Sequence, residues 1–214
     1  MEIGNGPLSI LLASGSPRRR ALLADLGWRF EWTAPRVDES PLLGEAPEAL
    51  CERLARLKVE APEAREGVLV LAADTIVVVD GRVLGKPADL DESREMLALL
   101  QGRGHEVLTG VALRWRGRTA SAVERTAGRF RPLTPGEVAA YAATGEGMDK
   151  AGSYAIQGRG ALLVSGIDGD YFNVVGLPLC RLGMLLESVG LSLERLWSGL
   201  RSEDDFCLCG GAGA

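Results

Sequence analysis

A valine-rich apolar run at residues 68–79, VLVLAADTIVVV, is the feature that most constrains the fold. Such a dense run of β-branched residues favours a buried strand, and the Asp80-Gly81 pair that follows it is typical of a hairpin turn. Only Asp74 and Thr75 interrupt the run. A carboxylate in a buried strand is costly unless it is paired or binds a metal ion.

Two interpretations of Asp74 follow from this position. A bulge or a strand end would open Asp74 into a cleft, where a carboxylate serves as a metal ligand or as a general base. Alternatively, backbone amides satisfy a purely structural aspartate in the interior. We favour the first interpretation and predict that Asp74 is the catalytic carboxylate.

The rest of the chain alternates strands, helices and hairpins. Strands are predicted at 8–13, 28–33, 105–115, 119–130, 161–167 and 171–175, and helices at 17–26, 47–59, 91–100, 135–143 and 178–189. Helical crossovers mixed with hairpins predict an α/β fold, with a mixed, twisted sheet and flanking helices, in two lobes around a central cleft. We predict a single domain at residues 1–193 and a polar tail at 194–214 that is partly disordered.

Composition and charge disfavour several classes of protein. No apolar run reaches the ~18–20 residues of a membrane-spanning helix, and residues 1–8 carry no secretory signal, so we expect a cytoplasmic protein without a membrane partner. The formal net charge of -5 disfavours nucleic acid as a partner. The four cysteines fit a reducing compartment. Cys207 and Cys209, in the tail, lack the further ligands that a zinc site needs.

The segment ASGSPRRR, at residues 13–20, joins a predicted strand to a predicted helix. Ser16 is a suitable N-cap, and Pro17 is a suitable first helical residue. Three arginines in the first turn oppose the helix dipole, a conflict that a bound anion would resolve. We therefore predict an anion site here, with the hydroxyls of Ser14 and Ser16 as donors. The alternative is a capped surface helix whose arginines extend into solvent.

Lysine is scarce in this chain. Of the 24 Lys and Arg residues, only three are lysines: Lys58, Lys86 and Lys150. A lysine in such an arginine-rich chain is favoured where a compact ammonium is needed. Lys86, in the turn LGKP, is well placed to bind a phosphate. Chance is the alternative, and for Lys58 a favourable position at a helix C-terminus.

Glu39 and Gln157 complete the set of candidates. Glu39, in a loop, would be a second carboxylate ligand for a divalent cation, with Mg²⁺ preferred over Mn²⁺, unless it is simply solvated. Gln157 ends the glycine-rich segment 149–158, whose backbone allows a flat ligand to approach closely. Its amide both donates and accepts hydrogen bonds and so suits the edge of a base, although such loops are common without a ligand.

Eight segments, taken in order, resemble the Maf family of nucleoside triphosphate pyrophosphatases. They are ASGSPRR at 13–19, VDE at 37–39, RLARLK at 53–58, AADTIV at 72–77, LGKP at 84–87, HEVLTGVAL at 105–113, DKAGSYAIQG at 149–158 and GLPL at 176–179. The resemblance implies a Maf/ITPase-like fold and a house-cleaning hydrolase. Such enzymes cut a nucleoside triphosphate between the α- and β-phosphates, giving the monophosphate and pyrophosphate.

The resemblance also implies roles for individual residues. Asp74 would be the proton acceptor or a metal-bound carboxylate, and Glu39 would help to hold the metal. Triphosphate binding is implied for Ser14, Arg19, Lys58 and Lys86. Specificity for dTTP and UTP is implied for Arg18, Thr75 and Gln157. A homodimer is expected by family analogy alone.

Three alternatives stay open. The branch that resembles 7-methyl-GTP hydrolases carries a bulky aromatic residue in place of Arg18 and an acid in place of Gln157, and these departures favour dTTP and UTP. A non-enzymatic regulator, for example of cell division, would bind a nucleotide and release it intact. An unrelated phosphatase would release orthophosphate instead of pyrophosphate.

Overall fold

The computed structural model describes residues 8–198, and within them seven strands form one sheet. The strands are β1 (Ser9–Ala13), β2 (Phe30–Thr33), β3 (Val68–Val79), β4 (Arg82–Leu84), β5 (Gly104–Trp115), β6 (Arg118–Phe130) and β7 (Val164–Asp168). Their order is β2-β1-β3-β5-β6-β7, with β4 paired to β3. The β1 strand pairs in parallel with β2 and β3, and the other pairs are antiparallel, which confirms the predicted mixed sheet.

Helices cover both faces of the sheet. They are α1 (Pro17–Asp25), α2 (Pro47–Glu60), α3 (Leu90–Leu100), α4 (Pro135–Ala143), α5 (Tyr171–Val175), α6 (Leu179–Ser188) and α7 (Leu193–Ser198). On one face, α1 and α6 cover one end of β3, and α3 and α4 cover the other end. On the opposite face, α2 packs along most of the length of β3. No helix among residues 8–198 is long and apolar enough to cross a membrane.

The two lobes separate along one edge of β3. On this edge β1 pairs with residues 68–71 and β4 pairs with residues 77–79. Within the described chain, no strand pairs with residues 72–76 on that edge, whereas β5 pairs continuously along the other edge. The cleft is therefore a gap between β1 and β4, and β3 is the floor that the two lobes share.

This gap corrects the predicted cause of the exposure of Asp74. Asp74 lies in the middle of β3 and stays in register with Gly110 of β5, so neither a bulge nor a strand end opens it to the cleft. The opening arises in the neighbouring strands. The chain leaves β1 at Ala13 to enter α1, and the hairpin after β3 returns for only three residues.

A close backbone contact sets the position of α2. A Cβ atom at Gly110 would lie 2.2 Å from the carbonyl oxygen of Cys51, so only glycine allows α2 to pack this closely on β5. Gly110 is paired with Asp74 and shares its face of the sheet. Lys58 lies seven residues, or about two helical turns, after Cys51, and so extends from the same side of the helix.

Residues 171–175 were predicted as a strand and form the helix α5, so that prediction is wrong. The side chain of Asp170 caps the helix by accepting a hydrogen bond from the backbone N–H of Phe172. Gly176, with φ of 122°, follows the last helical residue. The two valines at its end favour a strand locally, but the caps and the tertiary contacts of Asn173 decide the structure.

The last helix of the described residues lies at the predicted boundary at residue 193. Leu193–Ser198 forms α7, and Leu196 is buried against the core that α1 and α6 share. Cys207 and Cys209, with the rest of the predicted tail, lie outside the described residues.

The close packing at Gly110 predicts that Gly110→Ala destabilises the protein. The added methyl group meets backbone, which cannot rotate away, so we expect a loss of about 1–3 kcal/mol in the free energy of unfolding. Gly104→Ala, in the same strand, is the matched control, since its Cβ would lie 3.9 Å from the nearest atom outside its immediate neighbours. Chemical denaturation measures both variants, and equal stabilities would contradict the assigned role of Gly110.

Candidate active site

The gap in the sheet opens into a cleft of about 780 Å³. Five cationic side chains and three carboxylates line it, a surplus of two positive charges in a chain whose net charge is -5. They are Arg18, Arg19, Lys58, Lys86 and Lys150, with Glu39, Asp74 and Asp149. The predicted site residues Ser14, Thr75 and Gln157 line the same cleft. A concave surface with this charge suits a polyanionic ligand.

All three lysines of the chain line the cleft. The sequence singles out Lys150 only through the scarcity of lysine and does not predict it as a site residue. Its ammonium donates to the backbone oxygen of Glu146 and to Oδ1 of Asp149, each at 2.5 Å. The lysine composition was thus a usable signal for this position.

Asp74, Lys58 and Glu39 form the centre of the cleft. The Nζ atom of Lys58 lies 2.5 Å from Oδ1 of Asp74 and 2.6 Å from Oε1 of Glu39. Asp74 is only 8% exposed, and its neutralising partner is a lysine from α2 rather than backbone amides. Burial raises the pKa of Glu39, but the hydrogen bond and the charge of Lys58 outweigh it, so the pKa lies below its ordinary value.

Arg19 lies inside the protein, not on the exposed first turn of α1. Its Nε donates to the backbone oxygen of Gly176 at 2.7 Å, Nη1 to Oγ of Ser14 at 3.1 Å, and Nη2 to Oγ1 of Thr75 at 2.9 Å. Burial lowers the pKa of Arg19 to about 10, although the charge of Asp74 opposes this shift, so the guanidinium is protonated at neutral pH. These contacts use three of its five N–H groups and leave two for a ligand.

The hydroxyl of Ser14 is oriented by two donors. Its oxygen accepts hydrogen bonds from Nη1 of Arg19 and from the backbone N–H of Ser16. A hydroxyl has one hydrogen and two lone pairs, and both lone pairs are used. Only the hydrogen of Ser14 therefore remains for a ligand in the cleft, and it is a donor, as an anion requires.

The three consecutive arginines of α1 take three different directions. Arg18 donates to Oδ2 of Asp149 at 3.1 Å, across the cleft, whereas Arg19 points inward. Arg20 stacks on the ring of Trp32, with 4.1 Å between the guanidinium carbon and the ring centroid. Two of the three arginines therefore line the cleft, and the third covers an exposed aromatic side chain.

Asp74 and Thr75, adjacent in sequence, point to opposite faces of the sheet. Asp74 faces α2, while the hydroxyl of Thr75 is bonded to Arg19 and to Thr109. Both still border the cleft, because no strand of the described residues pairs with this stretch of β3 on the open edge.

The remaining candidates lie on the other lobe and its loops. Lys86 follows β4, and its charge also lowers the pKa of Glu39. The backbone oxygen of Gly85 accepts from the N–H of Gly152 at 3.0 Å, which holds the Lys86 turn against the glycine-rich segment. Gln157, in that segment, is exposed and lines the cleft. Every predicted site residue, Ser16 included, therefore lines the same cleft.

Besides Lys150, sequence reasoning missed two further side chains of the cleft, Asp149 and Tyr154. Asp149 joins Arg18 to Lys150, and it is the first residue of a segment that had been singled out only for glycine and Gln157. Tyr154 is buried, and its hydroxyl lies 2.7 Å from Nε2 of His105, while burial raises its pKa. No residue pattern in the sequence pairs Tyr154 with the distant His105.

Within residues 8–198, no group of three or more Asp, Glu, His or Cys side chains is arranged to hold a metal ion. Glu39 and Asp74 are a pair of carboxylates directed at one point, which the ammonium of Lys58 takes. A protein-only metal cage is therefore not present in this part of the chain. A pair of carboxylates that shares a cation with a ligand fits the geometry.

The chain is also similar to known proteins over most of its length. The model of the Maf family, described as Maf-like protein, matches residues 9–189. Proteins named dTTP/UTP pyrophosphatase are similar to this chain: that of Symbiobacterium thermophilum is 52% identical over 182 residues, which cover 85% of this chain and 94% of the relative. The corresponding protein of Moorella thermoacetica is 53% identical over 187 residues, 86% of this chain and 96% of the relative. That of Myxococcus xanthus is 51% identical over 185 residues, which cover 86% of this chain and 94% of the relative.

The buried contacts of Arg19 predict that Arg19→Lys is strongly destabilising. An ammonium cannot reach Gly176, Ser14 and Thr75 together, so buried acceptors lose their donor, and we expect a loss of about 2–4 kcal/mol in the free energy of unfolding. Arg20→Lys, the next residue on the same helix, loses only a surface stacking contact of about 1 kcal/mol or less. Denaturation with urea compares the two variants. A similar small loss in both would show that the three contacts of Arg19 contribute little.

Proposed function

The chain belongs to the Maf family, and from this premise we propose that it hydrolyses dTTP and UTP to the nucleoside monophosphate and pyrophosphate. Relatives named dTTP/UTP pyrophosphatase that are 51%, 52% and 53% identical over most of the chain support this substrate class. The observation that carries the proposal is the cationic cleft itself. It gathers all three lysines and two arginines of this acidic chain around the carboxylates Asp74 and Glu39.

The triphosphate would bind between the two lobes. From the β1 side, Arg19 offers two N–H groups and Ser14 offers its hydroxyl hydrogen. From the β4 side, Lys86 brings a compact positive charge that suits a phosphate oxygen. Charge-assisted hydrogen bonds from both sides would hold the phosphates over the open stretch of β3 and orient the α-phosphorus towards Asp74.

Hydrolysis needs a proton acceptor next to the attacking water. In Asp74, Oδ1 accepts from Lys58, and Oδ2 is the carboxylate atom that remains to accept a proton. The water oxygen forms the new bond to the α-phosphorus, its proton passes to Asp74, and the bond from the α-phosphorus to the bridging oxygen breaks. The leaving pyrophosphate carries the negative charge away, and the cations of the cleft stabilise it during this step.

We also propose that Asp74 and Glu39 hold a divalent cation together with the phosphates. Both are hard oxygen donors that already converge on one cation, the ammonium of Lys58, and Mg²⁺ is commonly bound by one or two carboxylates with substrate phosphates. When bound, the ion would neutralise phosphate charge and lower the pKa of a coordinated water. Lys58 would then donate to a phosphate oxygen, the role that the family resemblance implies. Mg²⁺ is the preferred ion, and Mn²⁺ would also suit these ligands.

Base selection would lie at the end of the cleft near Gln157 and Arg18. Thymine and uracil present an N3–H donor between two carbonyl acceptors. The amide of Gln157 can accept from N3–H and donate to one carbonyl, and Arg18 can donate to the other. Thr75 would act on specificity indirectly, since its hydroxyl bonds to Arg19 and Thr109.

The proposal also covers the location of the protein, its partners and its oligomeric state. We expect a cytoplasmic enzyme that acts on free nucleotides and does not bind nucleic acid, and a homodimer by analogy with the family. Light scattering measures the oligomeric state. A purely regulatory nucleotide-binding protein would bind dTTP in this cleft and release it intact, and a phosphatase would release orthophosphate, so product identification separates these functions.

The position of Asp74 predicts that Asp74→Asn lowers turnover of dTTP by about 100-fold or more, because the amide neither accepts the proton nor balances a metal ion. Asp80→Asn, in the exposed turn after the same strand, is the control and should keep wild-type turnover. The assay follows pyrophosphate release with Mg²⁺, and chelation of the ion should stop it. Near-normal turnover in a folded Asp74→Asn protein would contradict the catalytic role.

The base-recognition proposal predicts that Gln157→Glu selectively impairs pyrimidine substrates. An ionised carboxylate cannot donate to a base carbonyl, so kcat/KM for dTTP and UTP should fall about 10-fold or more. Inorganic pyrophosphate should bind as it does to the wild type, because the phosphate donors are unchanged. Gln101→Glu, at the only other glutamine of the chain, is the matched control. A wild-type preference for purine triphosphates, or an unchanged profile in the variant, would contradict the assignment.

A further inference from the structure

A row of hydrogen-bonded, buried polar groups extends from the cleft into the core of the sheet. Nη2 of Arg19 lies 2.9 Å from Oγ1 of Thr75, which lies 3.0 Å from Oγ1 of Thr109. Oγ1 of Thr109 lies 3.0 Å from the backbone oxygen of Asn173 in α5. Thr109 and Asn173 are fully buried. Apolar side chains would be expected at these positions, since hydrophobic clusters lie on either side of this row.

The number of hydrogens on each group fixes the direction of every hydrogen bond in this row. The backbone oxygen of Asn173 can only accept, so Thr109 donates its single hydroxyl hydrogen to it. The contact between the two threonines must therefore be donated by Thr75. Thr75 then has no hydrogen left and can only accept from Arg19. The chain of bonds runs one way, from the cation to the carbonyl of α5.

The same helix holds Arg19 at a second point. Nε of Arg19 donates to the backbone oxygen of Gly176, three residues after Asn173. A Cβ atom at Gly176 would be in ordinary van der Waals contact with Oγ1 of Thr75 and with Arg19, and it is the φ of 122° that favours glycine at this position. The direct bond and the threonine chain close a ring, which fixes the plane of the guanidinium as well as its position.

The helix α5, whose Asn173 accepts the last hydrogen bond of this row, is itself hydrogen-bonded to the sheet. Nδ2 of Asn173 donates to the backbone oxygen of Val107 and to Oγ1 of Thr126. Thr126 in turn donates to the backbone oxygen of Asp170 at the start of the helix. The helix that accepts from the Thr109 hydroxyl is therefore held by several bonds, and the bond from Asn173 to Val107 does not depend on Thr126.

We propose that Thr109, which is remote from the ligand, is a positioning residue for Arg19: its hydroxyl sets the one-way hydrogen-bond chain that directs the two free N–H groups of the guanidinium into the cleft. This inference rests on the proposed function, in which those N–H groups bind the phosphates. Aligned bonds strengthen one another, and the lone pairs that they present to Arg19 stabilise its charge where burial opposes it. A valine at this position would have the same shape but no hydrogen to direct the chain.

The test compares three buried substitutions. Thr109→Val removes the hydroxyl and keeps the shape, Thr109→Ser keeps the hydroxyl and loses a methyl group, and Thr126→Val removes an equally buried hydroxyl on the next strand. Thr126 also bonds to α5 but lies outside the ring that holds Arg19. For each protein, calorimetry gives the Kd of inorganic pyrophosphate, kinetics with dTTP give kcat and KM, and thermal unfolding verifies the fold.

We expect Thr109→Val to raise the Kd of pyrophosphate and to lower kcat/KM by about 10-fold, the effect of one misdirected charge-assisted contact. Thr109→Ser should stay within about twofold of the wild type, as should Thr126→Val. Wild-type binding by Thr109→Val would overturn the inference. So would an equal loss in Thr109→Ser, or an equal loss in Thr126→Val, because packing or any buried hydroxyl would then explain the effect.

Two further measurements distinguish a failure of the proposed function from a failure of the inference about Thr109. A wild-type protein that binds pyrophosphate but releases none from dTTP contradicts the proposed function, while the calorimetric comparison still decides the role of Thr109. If Thr109→Val does not fold, Thr109→Cys, whose thiol is only a weak donor, takes its place in the calorimetric comparison. It should also raise the Kd of pyrophosphate, and wild-type binding by a folded Thr109→Cys protein would overturn the inference.

Discussion

Asp74 carries a negative charge into the middle of a strand that is otherwise apolar, and the surrounding structure is arranged to keep that charge paired and accessible. Lys58 balances it from α2, and α2 lies close enough only because Gly110 has no side chain. The unpaired edge of β3 gives Asp74 access to the cleft from the side, so the sheet itself is not interrupted. Without the charge of Asp74, the positive charges of Lys58 and of the other cations in the cleft would be less fully neutralised.

The cations around Asp74 are held in two different ways. Arg19 is fixed by contacts from β1, β3 and the end of α5, so its position belongs to the core of the protein. Lys86, by contrast, is exposed in the turn after β4, and Arg18 is half-buried and paired with Asp149 at the mouth of the cleft. A ligand therefore meets one rigid donor in the interior and several adaptable ones at the rim. This division suits a polyphosphate, which must be placed accurately at one phosphorus and only neutralised elsewhere.

The sequence predicted the mixed sheet, because the long runs and the hairpin signals are local and strongly periodic. It also predicted most of the cleft, since Ser14, Lys86 and Asp74 stand at ends or interruptions of those runs. It did not predict that residues 171–175 are helical, because the caps and the contacts of Asn173 override a β-prone pair of valines. It placed the opening of Asp74 in β3 itself, whereas the gap depends on where β1 and β4 end. The inward path of Arg19 depends on partners up to 157 residues away, which no local pattern encodes.

The open stretch of β3 has a consequence for the behaviour of the protein in a crowded cell. Free strand edges attract other chains, and they are a common start of aggregation. In the described residues, the unpaired part of this edge of β3 is limited to residues 72–76, about 17 Å of strand, and β1 and β4 flank it on both sides. A second polypeptide strand would collide with these flanks before it could pair, while a small molecule can enter. The protein can thus leave this short stretch of strand edge unpaired at its centre without offering a template for misassembly.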